Sequence, residues 1–143
     1  MGMTKIRHAS IADSQAIVHL LGQLGRPSTI EEVLKKLEKF SGNERVAVFV
    51  AEVEGNVVGL VTAHILTVIN RPRDVAWITA LVVDDKARNK GVGRALVKTV
   101  EAYARRAGCE RLSVTTYEHL KGAQEFYVKL GIAPTGRRFG KML

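Results

Sequence analysis

The densest chemistry in the sequence lies in residues 87–97, ARNKGVGRALV. Gly91 and Gly93 stand among Arg88, Lys90 and Arg94, with Lys86 just upstream. An apolar run precedes the stretch, and Val92, Leu96, Val100 and Tyr103 follow at helical spacing. Strand, glycines, then helix start is an order that aims several unpaired backbone N–H groups at one point, where the helix dipole adds partial positive charge. Anions bind at such a point. Glycine lets the backbone come close and turn through positive φ. An ordinary helix entry that uses glycine only for its turn has the same outward look.

Three phosphate-binding designs separate on spacing. A P-loop requires G-x-x-x-x-G-K-[ST], and no such string occurs. A dinucleotide fingerprint requires G-x-G-x-x-G, but Leu96 holds the last glycine position. The third design is Arg-x-x-Gly-x-Gly after a buried strand. Arg88-Asn89-Lys90-Gly91-Val92-Gly93 matches it residue for residue.

On that match, residues 81–97, LVVDDKARNKGVGRALV, resemble the acetyl-CoA site of the GNAT N-acetyltransferase superfamily. Residues 119–132, HLKGAQEFYVKLGI, resemble its second signature, Ala-x-x-Phe-Tyr-x-x-x-Gly, with Ala123, Phe126, Tyr127 and Gly131 in place. The likeness covers essentially the whole chain. It implies an acetyl-CoA-dependent N-acetyltransferase, with acetyl-CoA as co-substrate and an amine as acceptor. The loop residues Arg88, Asn89, Lys90, Gly91, Val92, Gly93 and Arg94, with Ala95, would hold the pyrophosphate of coenzyme A. Leu81 and Val83 would pair their outer backbone groups with the pantetheine arm, and Phe126 joins the cofactor-binding set. Tyr127 would protonate the departing thiolate; a phenol, with an ordinary pKa of about 10, is protonated at neutral pH. The fourth and fifth strands would splay apart to admit the arm.

Two positions depart from the family pattern. Leu120 stands where many relatives carry asparagine, and the stretch Ile78-Thr79-Ala80 lacks the acid that often deprotonates the amine. Glu118, His119 and His64 are candidates for that base, beside a water relay. Each also has a plain reading, as a solvated acid, a helix start and a core histidine.

The elements that must position these residues follow from periodicity and punctuation. Strands are expected at residues 5–8, 45–52, 57–66, 75–83, 111–115 and 137–142, with a tight turn at Glu54-Gly55-Asn56. Helices follow Ser10 and Ser28, each with an acid three residues on, at Asp13 and Glu31. A third helix runs to Gly108, and a fourth carries the second signature and ends at Gly131. The order is β-α-α-β-β-β-α-β-α-β. This is an α+β (mixed α/β) GNAT-like domain over residues 1–143, with one mixed, mostly antiparallel sheet of six or seven strands and about four helices.

Composition narrows the partners. At 143 residues with 46% apolar and 25% charged, the chain is the size of one soluble domain and is not disordered. Its N-terminus lacks an apolar signal segment, its apolar runs are strand-sized, and Cys109 is its one cysteine, so a cytoplasmic protein that does not enter the membrane is expected. The net charge of +8 suits an anionic ligand. Nucleic acid is not favoured, because aromatics are only 6% and scattered. His8, His19, His64 and His119 lack metal-ligand spacing, so no metal is expected. Trp77 reads as core or as acceptor-pocket wall, and Cys109 as core. The acceptor should meet residues 24–30 and 67–74, where Arg26, Arg71 and Arg73 suit a carboxylate or phosphate on a small molecule. A homodimer is possible, with the C-terminal tail as one route to it. The rival reading is a catalytically weak acetyl-CoA-binding sensor or partner module.

Overall fold

Alternating apolar residues fold the middle of the chain into an antiparallel meander, and the helices cover both its faces. The structure, a computed structural model, describes residues 2–116 and 121–143. In chain order it holds β1 (Thr4–His8), α1 (Ser14–Leu24), α2 (Ile30–Phe40), β2 (Val46–Val53), β3 (Asn56–Leu66), β4 (Val75–Val83), α3 (Val92–Arg106), β5 (Arg111–Val114) and α4 (Lys121–Lys129). The strands lie in the order β1-β2-β3-β4-β5, antiparallel from β1 to β4, with β5 parallel to β4. The class and four helices are as expected.

The β2–β3 turn is made by Glu54 and Gly55, at φ 51° and 80°. Two successive positive φ values are what a tight hairpin turn needs to match strand twist. One face of the sheet packs on α3 through Phe49, Val61, Ile78, Leu96, Val97 and Val100. The other packs on α1 and α2 through Ile17, Leu20, Val33, Val50, Leu60 and Val82. The Ser10–Asp13 cap forms as expected, in the short 3-10 turn that enters α1. Asp13 also receives two hydrogen bonds from Arg7, at 2.8 and 2.9 Å, and the same guanidinium bonds Glu52. The second capping box is Thr29–Glu32, not Ser28–Glu31, because the helix starts at Ile30 and puts Glu32 in its third position. Gly25, at φ 84°, ends α1.

Two irregularities shape β4. Thr62 pairs with Ala80, yet Ala63 pairs with Ile78, so Thr79 is an extra residue in β4 and makes a bulge. Pairing of β4 with β5 runs only from Val75↔Arg111 to Ile78↔Val114, although β4 continues to Val83. β5 ends at Val114, opposite Ile78, while β4 runs on.

The expected last strand at residues 137–142 is absent, and the sheet has five strands. Residues 133–143 carry no regular structure, and Phe139 and Met142 are about nine-tenths exposed at 89% and 94%. A tail with Pro134, Gly136 and Gly140 has little strand propensity of its own. Cys109, expected in the core, is only half-buried.

Candidate active site

The site begins where β4 outruns its neighbour. Residues 79–83, Leu81 and Val83 among them, have no β5 residue opposite, so that side of β4 has no strand partner there among the described residues. Unpaired groups at a strand edge are a template for an extended ligand. The chain then turns through Asp84, whose carboxylate accepts from the Lys86 N–H at 2.9 Å. That bond and the contact with His19 hold its pKa below the ordinary carboxylate value. Gln23 accepts from the Asp85 N–H at 2.9 Å, so α1 clamps the start of the loop.

Asn89 and Gly91 both have positive φ, 62° and 83°. Gly91 is the N-cap of α3, no side chain among the described residues caps this end, and the first helical bond is from Ala95 N–H to the Gly91 carbonyl at 3.0 Å. The N–H groups of Val92, Gly93 and Arg94 therefore fan out ahead of the helix ladder. Its first turn carries no acid. Gly93 gives close approach: a Cβ there would lie 3.1 Å from the Phe126 ring, which would have to give by a few tenths of an ångström. Arg88 is also bonded within the protein. Arg88 Nε donates to the Val83 carbonyl at 3.1 Å, and its Nη2 lies 2.8 Å from Asp85. Arg88 thus ties the end of β4 to the loop.

Phe126 bridges the two motifs. It sits against Gly93 and meets Tyr127 edge-on with ring centroids 5.3 Å apart. Tyr127 is buried, and burial pushes its hydroxyl up to about 12. It lines a cavity of about 650 Å³ beside the paired stretch of β4 and β5, together with Trp77, Ser113, Val114 and the half-buried Ile132. The site thus combines an uncapped helix start, an unpaired strand edge and a protonated phenol. That combination suits a ligand with an anionic end, an extended amide-bearing arm and a leaving group that needs a proton.

Residues 15–132 match the Acetyltransferase (GNAT) family. The chain belongs to this family. The chain is 26% identical over 146 aligned positions to the aminoalkylphosphonate N-acetyltransferase of Salmonella typhimurium strain LT2, covering 100% of this chain and 94% of that protein. It is 37% identical over 84 residues to an uncharacterized N-acetyltransferase of Methanocaldococcus jannaschii, covering 58% of this chain but only 37% of that protein. Among solved structures, the fold is similar to the aminoglycoside N-acetyltransferase AAC(6')-Iy in complex with CoA, with TM-score 0.89 and 20% identity over 100% of this chain and 96% of that one.

Within the GNAT fold, a second cavity of about 360 Å³ lies between α1, α2 and the sheet. Its floor is formed by Thr62 and His64 of β3 and Thr79 and Ala80 of β4. Thr62 and Thr79 share a hydrogen bond, Oγ1 to Oγ1, of 2.7 Å. His64 is half-buried and edge-on to Phe40, at 5.6 Å between centroids. Of the three loop arginines, Arg26 lines this second cavity. Arg71 lines the first cavity and is 3.9 Å from Glu110, which also accepts from the Arg73 backbone N–H at 2.7 Å. Glu118, His119 and Leu120 lie outside the described residues. Sequence reading missed the Thr62–Thr79 pair, because only the bulge brings Thr79 opposite Thr62. Among the described residues no three His, Cys, Asp or Glu side chains gather as metal ligands would, and no helix is long and apolar enough to cross a membrane.

Proposed function

We propose that the chain, folded as one catalytic unit, moves an acetyl group from acetyl-CoA to a primary amine, with both substrates bound together. The extension of β4 past its last β5 pair, directly ahead of the Gly91–Gly93 turn, carries this reading. Coenzyme A fits on two counts. The uncapped N–H groups of Val92, Gly93 and Arg94 suit its pyrophosphate, and Lys90 and Arg94 add charge. The edge at Leu81 suits the amide groups of its arm, and the Val83 N–H lies on the same side, its carbonyl being bonded by Arg88 Nε. A protein of similar fold was solved in complex with CoA, which supports coenzyme A as the ligand. Acetyl-CoA supplies the activated acyl group; the protein supplies position.

Holding the amine against the thioester turns a bimolecular encounter into a local one, which is where much of the rate enhancement arises. A backbone N–H of β4 past Ile78 polarises the thioester carbonyl. Tyr127, protonated through neutral pH, gives its proton to the departing sulfur. The acceptor is a small molecule, as for the aminoalkylphosphonate enzyme that the chain resembles along its full length.

The deciding experiment is a thermal melt with and without acetyl-CoA, followed by free-thiol release across a panel of amines. A melt shift with thiol release establishes the transferase. A melt shift with no thiol release from any amine would identify a binding module instead. No shift at all would overturn the coenzyme site.

A further inference from the structure

We propose that the cavity of about 360 Å³ between α1, α2 and the sheet seats the acceptor as an amine on an apolar body, and that His64 takes the proton which that amine sheds. The proposal rests on the acetyl-transfer reading above and names the acceptor side of that same site. The cavity floor reaches β4 at Thr79 and Ala80, immediately past the last β4–β5 pair at Ile78. An acceptor lying on that floor is therefore at the level where the thioester would end. The walls are apolar, with Leu21, Leu24, Leu37 and Phe40 from the two helices, which selects a hydrocarbon body.

The polar floor is suited to an amine. Thr62 and Thr79 present hydroxyl oxygens that can accept hydrogen bonds from it. His64 stands two residues from Thr62 on the same face of β3, a spacing of roughly 6.6 Å along the strand. An amine nitrogen between them reaches both. The charged groups facing His64 are few. Lys36 comes from α2 and Arg26 from the α1–α2 connection, while α1 and β2 contribute apolar side chains such as Ile17 and Val48. Among the described residues that line the cavity, His64 is the one imidazole, and no carboxylate joins it. Imidazole is the side chain suited to general-base work in this set.

The proton balance is complete with these groups. The bound ammonium gives one proton to His64, which passes it to solvent. The nitrogen bonds to the acetyl carbon, the carbon–sulfur bond breaks, and the nitrogen loses a second proton. The sulfur leaves as a thiol, so one proton ends on sulfur and one in solvent.

His64→Gln tests this through pH. With an alkylamine acceptor, kcat/KM at pH 7 should fall on the order of 10²-fold, the low end of general-base effects. The loss should shrink toward wild type near pH ~10.4, where about half of an ordinary alkylamine is already neutral. A hydrazide acceptor, neutral at pH 7, should be acetylated equally by both proteins. A loss of the same size at every pH, or for both acceptors, would mean that His64 only packs, and would overturn the proposal. Leu24→Trp, at the partly exposed mouth, should raise KM for the amine while leaving the acetyl-CoA melt shift unchanged. An unchanged KM would place the acceptor elsewhere and overturn the proposal while acetyl transfer itself stands. Failure of the wild type to acetylate any amine would overturn both.

Discussion

Gly91 and Gly22 offer a matched pair in which backbone conformation alone decides the sign. A Cβ built at either position meets nothing within 4 Å, so neither alanine variant suffers a clash. Gly91 has φ +83° and caps α3; Gly22 lies inside α1 with an ordinary helical φ. Alanine in the left-handed region costs roughly 1–2 kcal/mol. Alanine for glycine inside a helix gains roughly 0.5–1 kcal/mol. Gly91→Ala should therefore lower the urea-unfolding free energy, and Gly22→Ala should raise it. At about 3–5 °C per kcal/mol for a domain of this size, the melts should move by roughly 3–10 °C down and 2–5 °C up. The strain also bears on ligand binding, because relaxing it swings the N–H groups of Val92 to Arg94 off their common target. Acetyl-CoA at about 100 times its Kd should stabilise the wild type by roughly 2.7 kcal/mol. A tenfold weakening would remove about 1.4 kcal/mol of that at the same concentration. The assay is paired melts of the three proteins with and without acetyl-CoA. If Gly91→Ala melts with the wild type and keeps its full ligand shift, the left-handed cap is not what builds the anion site, and the reasoning fails.

Other variants probe separate parts of the molecule. Tyr127→Phe should lower kcat on the order of 10²-fold with little change in acetyl-CoA affinity, as measured by thiol release. Because its hydroxyl is held up to about 12, the wild type should show no loss of activity attributable to Tyr127 through pH 9. Leu96→Ala, at a position with no exposure, should cost about 3–5 kcal/mol in chemical denaturation. Asp13→Asn should cost about 1.5–3 kcal/mol at pH 7 by loss of its charge-assisted bonds to Arg7. Asp13 is held below the ordinary carboxylate pKa, so its contribution is present above about pH 4 and fades as pH falls through its lower folded value. The gap between Asp13→Asn and wild type should therefore close in acid.

What the sequence revealed about the fold tracks how local each signal is. The β4 bounds, residues 75–83, were legible because a near-continuous apolar run ends at Asp84. The Gly91–Gly93 turn and the Phe126–Tyr127 pair were legible as motifs, and the fold brings them into contact through the bare Cα of Gly93. The α2 cap slipped by one residue because Ser28-Thr29 and Glu31-Glu32 offer two overlapping boxes with the same spacing. The tail was misread because alternation over a few residues cannot say whether a partner edge is present. One role of Arg88 was also hidden, since nothing in the motif announces that its guanidinium ties Val83 to Asp85. The cavity floor was the least legible feature, since Thr62 and Thr79 are far apart in sequence and meet only through a register shift.

That register shift also resets the phase of β4. Ile78, Leu81 and Val83 all face the α3 side, three positions apart and then two, while Thr79 and Ala80 together line the cavity on the opposite side. Strict alternation from Ile78 would have turned Ala80 and Val82 toward α3 and Leu81 away from it. A single inserted residue thus inverts the meaning of every position after it, so the half of the strand that anchors the core and the half that frames the site obey opposite parity. Length changes in the surface loops leave this parity alone. Deletion of Thr79 would restore strict alternation with every downstream face kept, so Leu81 and Val83 would still face α3 and the cavity floor alone would lose a residue.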